Sequence, residues 1–196
     1  MADELPQQIP YPALGDLVKW LEAEHVRYAV IGGLAVSIVS QPRPTVNVDL
    51  VVWLDPEEWG DFLESAKQYG LEARTPDALA FAQKRRVLLM QHIDSGIGID
   101  VSFGALPFEL EMIDRAERVS FGNVTLPVAT AEDVIIMKII AHRKQDLRDI
   151  ENIIRVHPQL DFERIKYWVH EFAVVLETPE TDAEMLGLIE AHKGSN

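Results

Sequence analysis

The sequence predicts an α/β (α+β) protein in which a mixed sheet flanked by helices is followed by a helical C-terminal portion. Short apolar segments typical of buried strands are confined to residues 28–128. From Thr130 onward, apolar positions recur at helical spacing instead. Strands first and helices last are typical of a sheet-containing core joined to a helical region. We therefore expect an N-terminal arm over 1–12, a core over 13–128, and a helical region over 129–196 packed on the core.

The first half of the core is predicted to alternate helices and strands. Leu14, Leu17 and Leu21 recur at the spacing of one helix face, which predicts a helix over 13–25. Asp55-Pro56 is typical of a helix start, because proline is tolerated in the first turn, and Gly70 suits the end of that helix. The other predicted elements are a strand over 28–31, a helix over 33–40 and a strand over 46–54.

The second half is predicted to hold two strand pairs and a series of helices. Asp94-Ser95-Gly96 separates two apolar segments, which predicts an antiparallel pair. Gly122-Asn123 joins two shorter strands between residues 118 and 127, after a short helix that follows Pro107. The strands of the first pair are predicted over 80–93 and 97–103, and the C-terminal helices over 130–143, 145–156, 161–176 and 180–192.

The composition excludes several classes of function. The net charge of −14 argues against nonspecific DNA binding, because such binding scales with the number of phosphates that Lys and Arg neutralise. Cysteine is absent, so neither a disulfide framework nor a thiolate site is expected. No apolar stretch approaches the roughly 18 residues of a membrane span, and the first residues do not resemble a signal peptide. We therefore expect a cytoplasmic protein that makes no membrane contact.

Polar side chains on two predicted strands are candidates for a cation site. Because side chains alternate across a strand, Asn47 and Asp49 share one face, with Cα atoms roughly 6.5–7 Å apart. In the strand over 97–103 the odd positions are apolar, which leaves Asp100 on the opposite face. If the two strands are neighbours, these side chains form one cluster of oxygen ligands suited to Mg²⁺ or Mn²⁺. The alternative is that both aspartates are strand-end residues bonded to nearby backbone amides.

Gly32-Gly33, between the first strand and the next helix, is a candidate phosphate site. Without a Cβ atom, this corner lets phosphate oxygens approach the amides at the helix N-terminus, where the helix dipole favours an anion. The signal is weak by itself, because many strand-to-helix corners use glycine. Ser37, Arg43 and Thr45 are further candidate nucleotide contacts; Arg43 could equally tie down its loop, and Thr45 could bond locally.

Lys138 is the one charged residue in the apolar run Val134-Ile-Ile-Met-Lys-Ile-Ile-Ala141, which is typical of a buried helix. A buried ammonium is costly unless it meets an anion. Lys138 either extends its stem to solvent, or faces the site as a partner for Asp49, Asp100 or a phosphate. Two further acids, Asp146 and Asp149, lie one turn apart at the start of the next helix. They are either capping charges or part of the site.

These motifs resemble the nucleotidyltransferase superfamily with the polymerase-beta-like fold, and within it the abortive-infection, type IV toxin-like (AbiEii) group. The superfamily pattern is an apolar residue, Gly, then Gly or Ser, followed after a spacer by acid, apolar, acid. The toxin-like group adds Arg-x-Thr, a later strand acid, and a helical Lys followed by Asp-x-x-Asp. The matching segments are Ile31-Gly32-Gly33, Arg43-Pro44-Thr45, Asn47-Val48-Asp49, Asp100, and Lys138 with Asp146-Leu-Arg-Asp149.

The resemblance implies metal-dependent transfer of a nucleotidyl group from an NTP to an acceptor hydroxyl on RNA or protein, and a toxin that is paired with an antitoxin. By the same resemblance, Asp49 and Asp100 bind Mg²⁺ or Mn²⁺, with Asn47 at the remaining ligand position, and Asp100 also helps to activate the acceptor. Gly32 and Gly33 hold the β- and γ-phosphates. Lys138 stabilises transition-state charge.

Asn47 departs from the family pattern, because an amide offers one neutral oxygen where the pattern has a carboxylate. The residue is compatible with a naturally weak or inactive enzyme, with an engineered inactive variant, or with a site that works with two carboxylates. A different class of function is also open: a catalytically inactive interaction module that keeps the fold and binds a protein partner. An enzyme that modifies a small molecule, such as an aminoglycoside, would fit the acidic surface.

Overall fold

The computed structural model describes residues 11–42, 44–122, 124–179, 181 and 187. The chain divides into two compact units. The first unit comprises Met1–Ala35 and Pro42–Ala129, and the second comprises Val36–Gln41 and Thr130–Asn196. The predicted N-terminal arm and the predicted helix over 180–192 fall largely outside the described residues.

A mixed sheet of seven strands, counted over the described residues, forms the first unit. Its spatial order is β3-β4-β5-β2-β1-β7-β6. β2 runs parallel to β5 and β1 runs parallel to β7, whereas the other neighbouring pairs are antiparallel. The strands are β1 (Arg27–Ile31), β2 (Asn47–Trp53), β3 (Leu71–Ala73), β4 (Val87–His92), β5 (Gly98–Phe103), β6 (Glu117–Phe121) and β7 (Val124–Val128).

Five helices belong wholly or partly to this unit in the described part of the chain. They are α1 (Tyr11–Ala23), α2 (Gly32–Val39), α3 (Trp59–Ala66), α4 (Ala78–Arg85) and α5 (Pro107–Arg115). Short 3₁₀ turns over Pro56–Glu58 and Lys67–Tyr69 flank α3, and Gly70 ends the segment in the left-handed conformation with φ of 69°. This is the terminating role that the sequence predicts for Gly70.

Aromatic stacking packs helices against one face of the sheet. Phe103, at the end of β5, stacks on Trp59 of α3 with ring centroids 4.0 Å apart. Phe62, also on α3, stacks in turn on Trp20 of α1 at 4.1 Å. Because side chains alternate along β5, Phe103 and Asp100 project to opposite faces. The apolar core therefore fills one side of the sheet, and the aspartate belongs to the other side.

The second unit is built around three helices in the described part of the chain: α6 (Ala131–Ala141), α7 (Lys144–Val156) and α8 (Phe162–Leu176). The Thr130 hydroxyl accepts a hydrogen bond from the Asp133 amide and so caps α6. Arg164 of α8 donates to the buried carboxylate of Asp133 at 2.9 Å, which joins α6 to α8. Both contacts satisfy polar groups that would otherwise be buried at a cost.

The fold class predicted from the sequence is confirmed: the chain is an α/β protein with a mixed sheet. The predicted strand over 80–93 is wrong in its first half, because residues 78–85 form α4 and only 87–92 form a strand. Ala78 and Ala82, four residues apart, are buried on one face of α4, so helical packing prevailed in a short segment where periodicity is ambiguous. The strand β3 was not predicted. None of the helices in the described part of the chain combines the length and apolarity needed to cross a bilayer.

Candidate functional site

The parallel pairing of β2 and β5 places the predicted acids side by side. In this register Asn47 lies opposite Gly98, and Asp49 lies opposite Asp100. Paired residues on neighbouring strands project to the same face, and their strands are about 4.8 Å apart. The strand adjacency that the predicted cation site requires is therefore present. The roles of the two acids as metal ligands stay predictions.

The corner at Gly32 passes directly against Asp49, because β1 pairs with β2 in the register Ile31 to Asp49. Gly32 has φ of +63°, and a Cβ atom built there would lie 2.2 Å from Asp49 Oδ2 and 2.7 Å from Asp49 Cβ. Both the backbone angle and the lack of space require glycine. At Gly98 a Cβ atom would lie 2.7 Å from the side-chain amide oxygen of Asn47, so a larger residue there would require the Asn47 side chain to move.

The N-terminus of α2 thus begins beside a carboxylate. The helix starts at Gly32, and the N-terminal end of a helix favours a negatively charged ligand such as phosphate. A phosphate bound at the start of α2 and the neighbouring Asp49 carboxylate would repel each other unless a cation lay between them. The geometry therefore suits a group that carries its own cation, as a metal-bound triphosphate does.

Arg74 is a site residue that the sequence analysis missed. Its guanidinium forms an ion pair with the Asp100 carboxylate, and the two side chains are 32% and 29% exposed. The Arg74 amide donates to the carbonyl of Leu89 at 2.9 Å, and Leu89 is the β4 residue opposite Asp100. Arg74 therefore continues the row that contains Asp100 and Asp49 across the sheet. It follows a strand of only three residues, and no sequence signal predicted that strand.

The next row across the same face of the sheet is also polar. Glu72 lies opposite Gln91, Gln91 lies opposite Gly98, and Gly98 lies opposite Asn47. The Gln91 amide donates to the Glu72 carboxylate at 2.7 Å. Polar groups thus cover this part of the sheet on the face opposite the aromatic core, which leaves it suited to a polar ligand.

The other predicted nucleotide contacts are Thr45, Ser37 and Arg43. The Thr45 hydroxyl donates to the backbone carbonyl of Asn47 at 3.1 Å, which is a local bond. Ser37 is buried on α2 within the second compact unit. Arg43 lies outside the described residues. For all three residues, nucleotide binding stays a prediction.

Lys138 has two carboxylate partners within the second unit. Its ammonium lies 2.7 Å from Asp146 Oδ1 and 2.7 Å from Asp149 Oδ2. All three residues are buried, so neither aspartate is a solvent-exposed capping charge. The Lys138 side chain therefore does not extend into solvent, and its two partners are acids that the sequence analysis did not pair with it. The anions are those of the adjoining helix α7, and a role for Lys138 in stabilising transition-state charge stays a prediction.

The donors on the sheet fit one divalent ion better than two. Asp49 and Asp100 supply two carboxylates and Asn47 supplies a neutral amide oxygen, which are the oxygen ligands that Mg²⁺ and Mn²⁺ prefer. Over the described ranges, no group of three or more His, Cys, Asp or Glu residues is arranged to hold a metal ion. Arg74 adds a positive charge at Asp100, which opposes binding of a second cation there.

The fold and the site define a protein of the nucleotidyltransferase class, and a family model agrees. Residues 16–187 match the family described as "Nucleotidyltransferase of unknown function (DUF6036)". Because the match spans most of the chain, this protein belongs to that family. No curated protein sequence matches the chain significantly.

Solved structures show the same fold at low sequence identity. The lincosamide antibiotic adenylyltransferase LnuA, solved with lincomycin bound, has 13% identity and a TM-score of 0.53, covering 76% of this chain and 99% of that one. The antibiotic-resistance factor ANT(2'')-Ia has 10% identity and a TM-score of 0.56, covering 88% and 96%. An antigenic nucleotidyltransferase-like protein from Paracoccidioides brasiliensis has 17% identity and a TM-score of 0.52, covering 89% and 90%. The chain is thus similar in fold to nucleotidyltransferases of nearly its own size.

Proposed function

We propose that this protein is a metal-dependent nucleotidyltransferase that transfers a nucleotidyl group from an NTP to an acceptor hydroxyl. One observation carries the proposal: Asp49 and Asp100 lie side by side on parallel strands, next to a glycine corner that opens a helix. That arrangement combines ligands for a cation with a helix N-terminus for phosphate. Membership of the nucleotidyltransferase family supports it.

Each residue of the site would contribute a defined part of the reaction. Asp49 and Asp100, together with the Asn47 amide, would hold Mg²⁺ or Mn²⁺, which when bound neutralises phosphate charge and steadies the attacking and leaving oxygens. The backbone at Gly32 and Gly33 would bind the β- and γ-phosphates. The acceptor oxygen forms a bond to the α-phosphorus, the bond from the α-phosphorus to the bridging oxygen breaks, and pyrophosphate leaves. The proton of the acceptor hydroxyl passes to the Asp100 carboxylate.

For the acceptor, we propose RNA or protein, in a cytoplasmic toxin whose activity an antitoxin partner restrains. The support is the resemblance of Arg43-Pro44-Thr45, of Asp100, and of Lys138 with Asp146-Leu-Arg-Asp149 to the toxin-like group. A small hydroxylated molecule is the second candidate. The net charge of −14 favours a cationic acceptor over a polyanion, and the similarly folded LnuA and ANT(2'')-Ia are described as antibiotic adenylyltransferase and antibiotic-resistance factor.

The proposal is tested by incubating the protein and Mg²⁺ or Mn²⁺ with α-labelled NTPs and three acceptor sets: tRNA, protein and aminoglycosides. We expect label transfer to one of these sets, and we expect Asp49→Ala to abolish it. Asn47→Asp supplies a third carboxylate, and we expect this variant to bind the metal more tightly and to transfer label faster than the native protein. If neither the native protein nor Asn47→Asp transfers label or shows an NTP-dependent thermal shift, the enzymatic proposal is wrong.

That negative result would favour the alternative function, a catalytically inactive module that keeps the fold and binds a protein partner. Asn47 supports this alternative, because replacing an acid by an amide weakens a metal site. Two features support the enzymatic proposal instead. Asp49 and Asp100 are both present, and the contact with Asp49 requires glycine at position 32.

A further inference from the structure

The site is less negatively charged than that of a nucleotidyltransferase with three acids, and two residues account for the difference. At one end, Asn47 is neutral where the family pattern has an acid. At the other end, Arg74 adds a positive charge to Asp100. Asn47, Asp49, Asp100 and Arg74 together carry a formal charge of −1, where three acids without the arginine would carry −3. The site therefore has two fewer negative charges with which to hold divalent ions.

The position of Arg74 is fixed by the sheet as well as by the ion pair. Its amide is bonded to Leu89 of β4, and Leu89 lies opposite Asp100 of β5. A guanidinium carries a positive charge and presents several N–H donors in one plane. It can therefore bond to Asp100 on one side and still present donors to a phosphate oxygen. A lysine at this position would supply the charge without the planar set of donors.

We propose that this site binds a single divalent ion, held by Asp49 and Asp100, and that the Arg74 guanidinium takes the place of the second ion on the other side of Asp100. The ions of a two-metal site lie about 3.5–4 Å apart, so a guanidinium bonded to Asp100 competes with a second ion for the same carboxylate. Asn47 supports the same conclusion, because the missing carboxylate is one that a second ion would need. The inference rests on the proposed function and assigns Arg74 to the binding of the substrate triphosphate.

If the site holds one ion, loss of Arg74 should weaken NTP binding, and a higher metal concentration should restore it. Arg74→Gln removes the positive charge while retaining hydrogen-bonding capacity. The triphosphate then lacks the guanidinium that would neutralise its charge beside Asp100. We expect this variant to bind an NTP analogue about 10–100-fold more weakly, and to recover as Mn²⁺ is raised, because a second ion can then occupy Asp100. Arg74→Lys should retain a single ion. Arg85→Gln, which removes the same charge from an exposed position on α4, is the matched control.

The decisive experiment counts Mn²⁺ bound per chain in the presence of α,β-methylene-ATP, by calorimetry and by electron paramagnetic resonance. The native protein should bind one Mn²⁺ with an isolated-ion spectrum, as should Arg85→Gln. The double variant Asn47→Asp/Arg74→Gln should bind two, with the spectrum of a spin-coupled pair. Two ions on the native protein, or one ion on the double variant, would overturn the inference and leave the proposed function standing. A native protein that binds neither Mn²⁺ nor the analogue would overturn both the inference and the proposed function. Thermal unfolding of each variant checks that the variant is folded.

Discussion

At the scale of single residues, Gly32 sets the geometry of the candidate site. Its backbone has a positive φ, and the space where a Cβ atom would lie is filled by the Asp49 carboxylate. Glycine at this corner brings the backbone at the start of α2 close to the carboxylate, an arrangement compatible with a phosphate and its cation.

Replacing Gly32 by Ala tests this constraint. The left-handed conformation costs an alanine about 1–2 kcal/mol, and its Cβ atom would displace Asp49, so we expect lower stability and loss of metal-dependent NTP binding. Gly15→Ala is the matched control, because nothing lies within 4 Å of a Cβ atom there and alanine stabilises a helix interior by about 0.5–1 kcal/mol. Denaturant unfolding and calorimetry measure the two effects. Equal stability of both variants, with NTP binding unchanged in Gly32→Ala, would contradict the account.

Residue patterns predicted the acids of the site but not all of their partners. The two-residue period of strands is enough to place Asn47 with Asp49 and to set Asp100 apart from its apolar neighbours. Arg74 was missed because its position depends on β3, a strand of three residues with no pattern of its own. For Lys138, the need for an anion followed from the apolar surroundings. Its actual partners, Asp146 and Asp149, were not predicted as such, because they depend on how α7 packs on α6.

At the scale of elements, the helix α4 shows where periodicity fails. Residues 78–85 hold three alanines, a leucine and a phenylalanine, followed by three polar residues, a pattern compatible with either a short helix or a strand. Alanine is the strongest helix former, and Arg86 ends the helix in the left-handed conformation with φ of 55°. Longer elements with clear caps, such as α6 and α8, were predicted within a few residues of their observed ends.

The join between α6 and α7 depends on the buried cluster of Lys138, Asp146 and Asp149. We expect Lys138→Met to destabilise the protein by about 3–5 kcal/mol, because removing one partner leaves buried charge uncompensated. Lys19→Met is the control, since the pair of Lys19 with Asp16 is mostly exposed and such pairs contribute about 0–1 kcal/mol. Equilibrium unfolding in urea measures both changes. A loss of nucleotidyl transfer in Lys138→Met without loss of stability would show instead that Lys138 acts in catalysis.

At the scale of the whole molecule, the long-range pairing of β2 with β5 creates the site. About fifty residues separate Asp49 from Asp100, and the intervening β3, α4 and β4 return the chain so that the two strands run parallel. The sequence indicated that these strands would be neighbours only through the resemblance to nucleotidyltransferases. The strand pattern alone fixes which face each acid occupies and leaves the sheet order open.

The proposed function requires that a divalent cation and an NTP bind together at Asp49, Asp100 and the Gly32 corner. The most direct test is the paramagnetic broadening that Mn²⁺ causes in the backbone amide signals of the ¹⁵N-labelled protein. The measurement is made with α,β-methylene-ATP present, and Mg²⁺ serves as the diamagnetic reference. We predict that the strongest broadening falls on the amides of Gly32, Gly33, Asp49 and Asp100, and that Asp49→Asn removes it. Broadening centred elsewhere, or broadening that persists unchanged in Asp49→Asn, would contradict the claim.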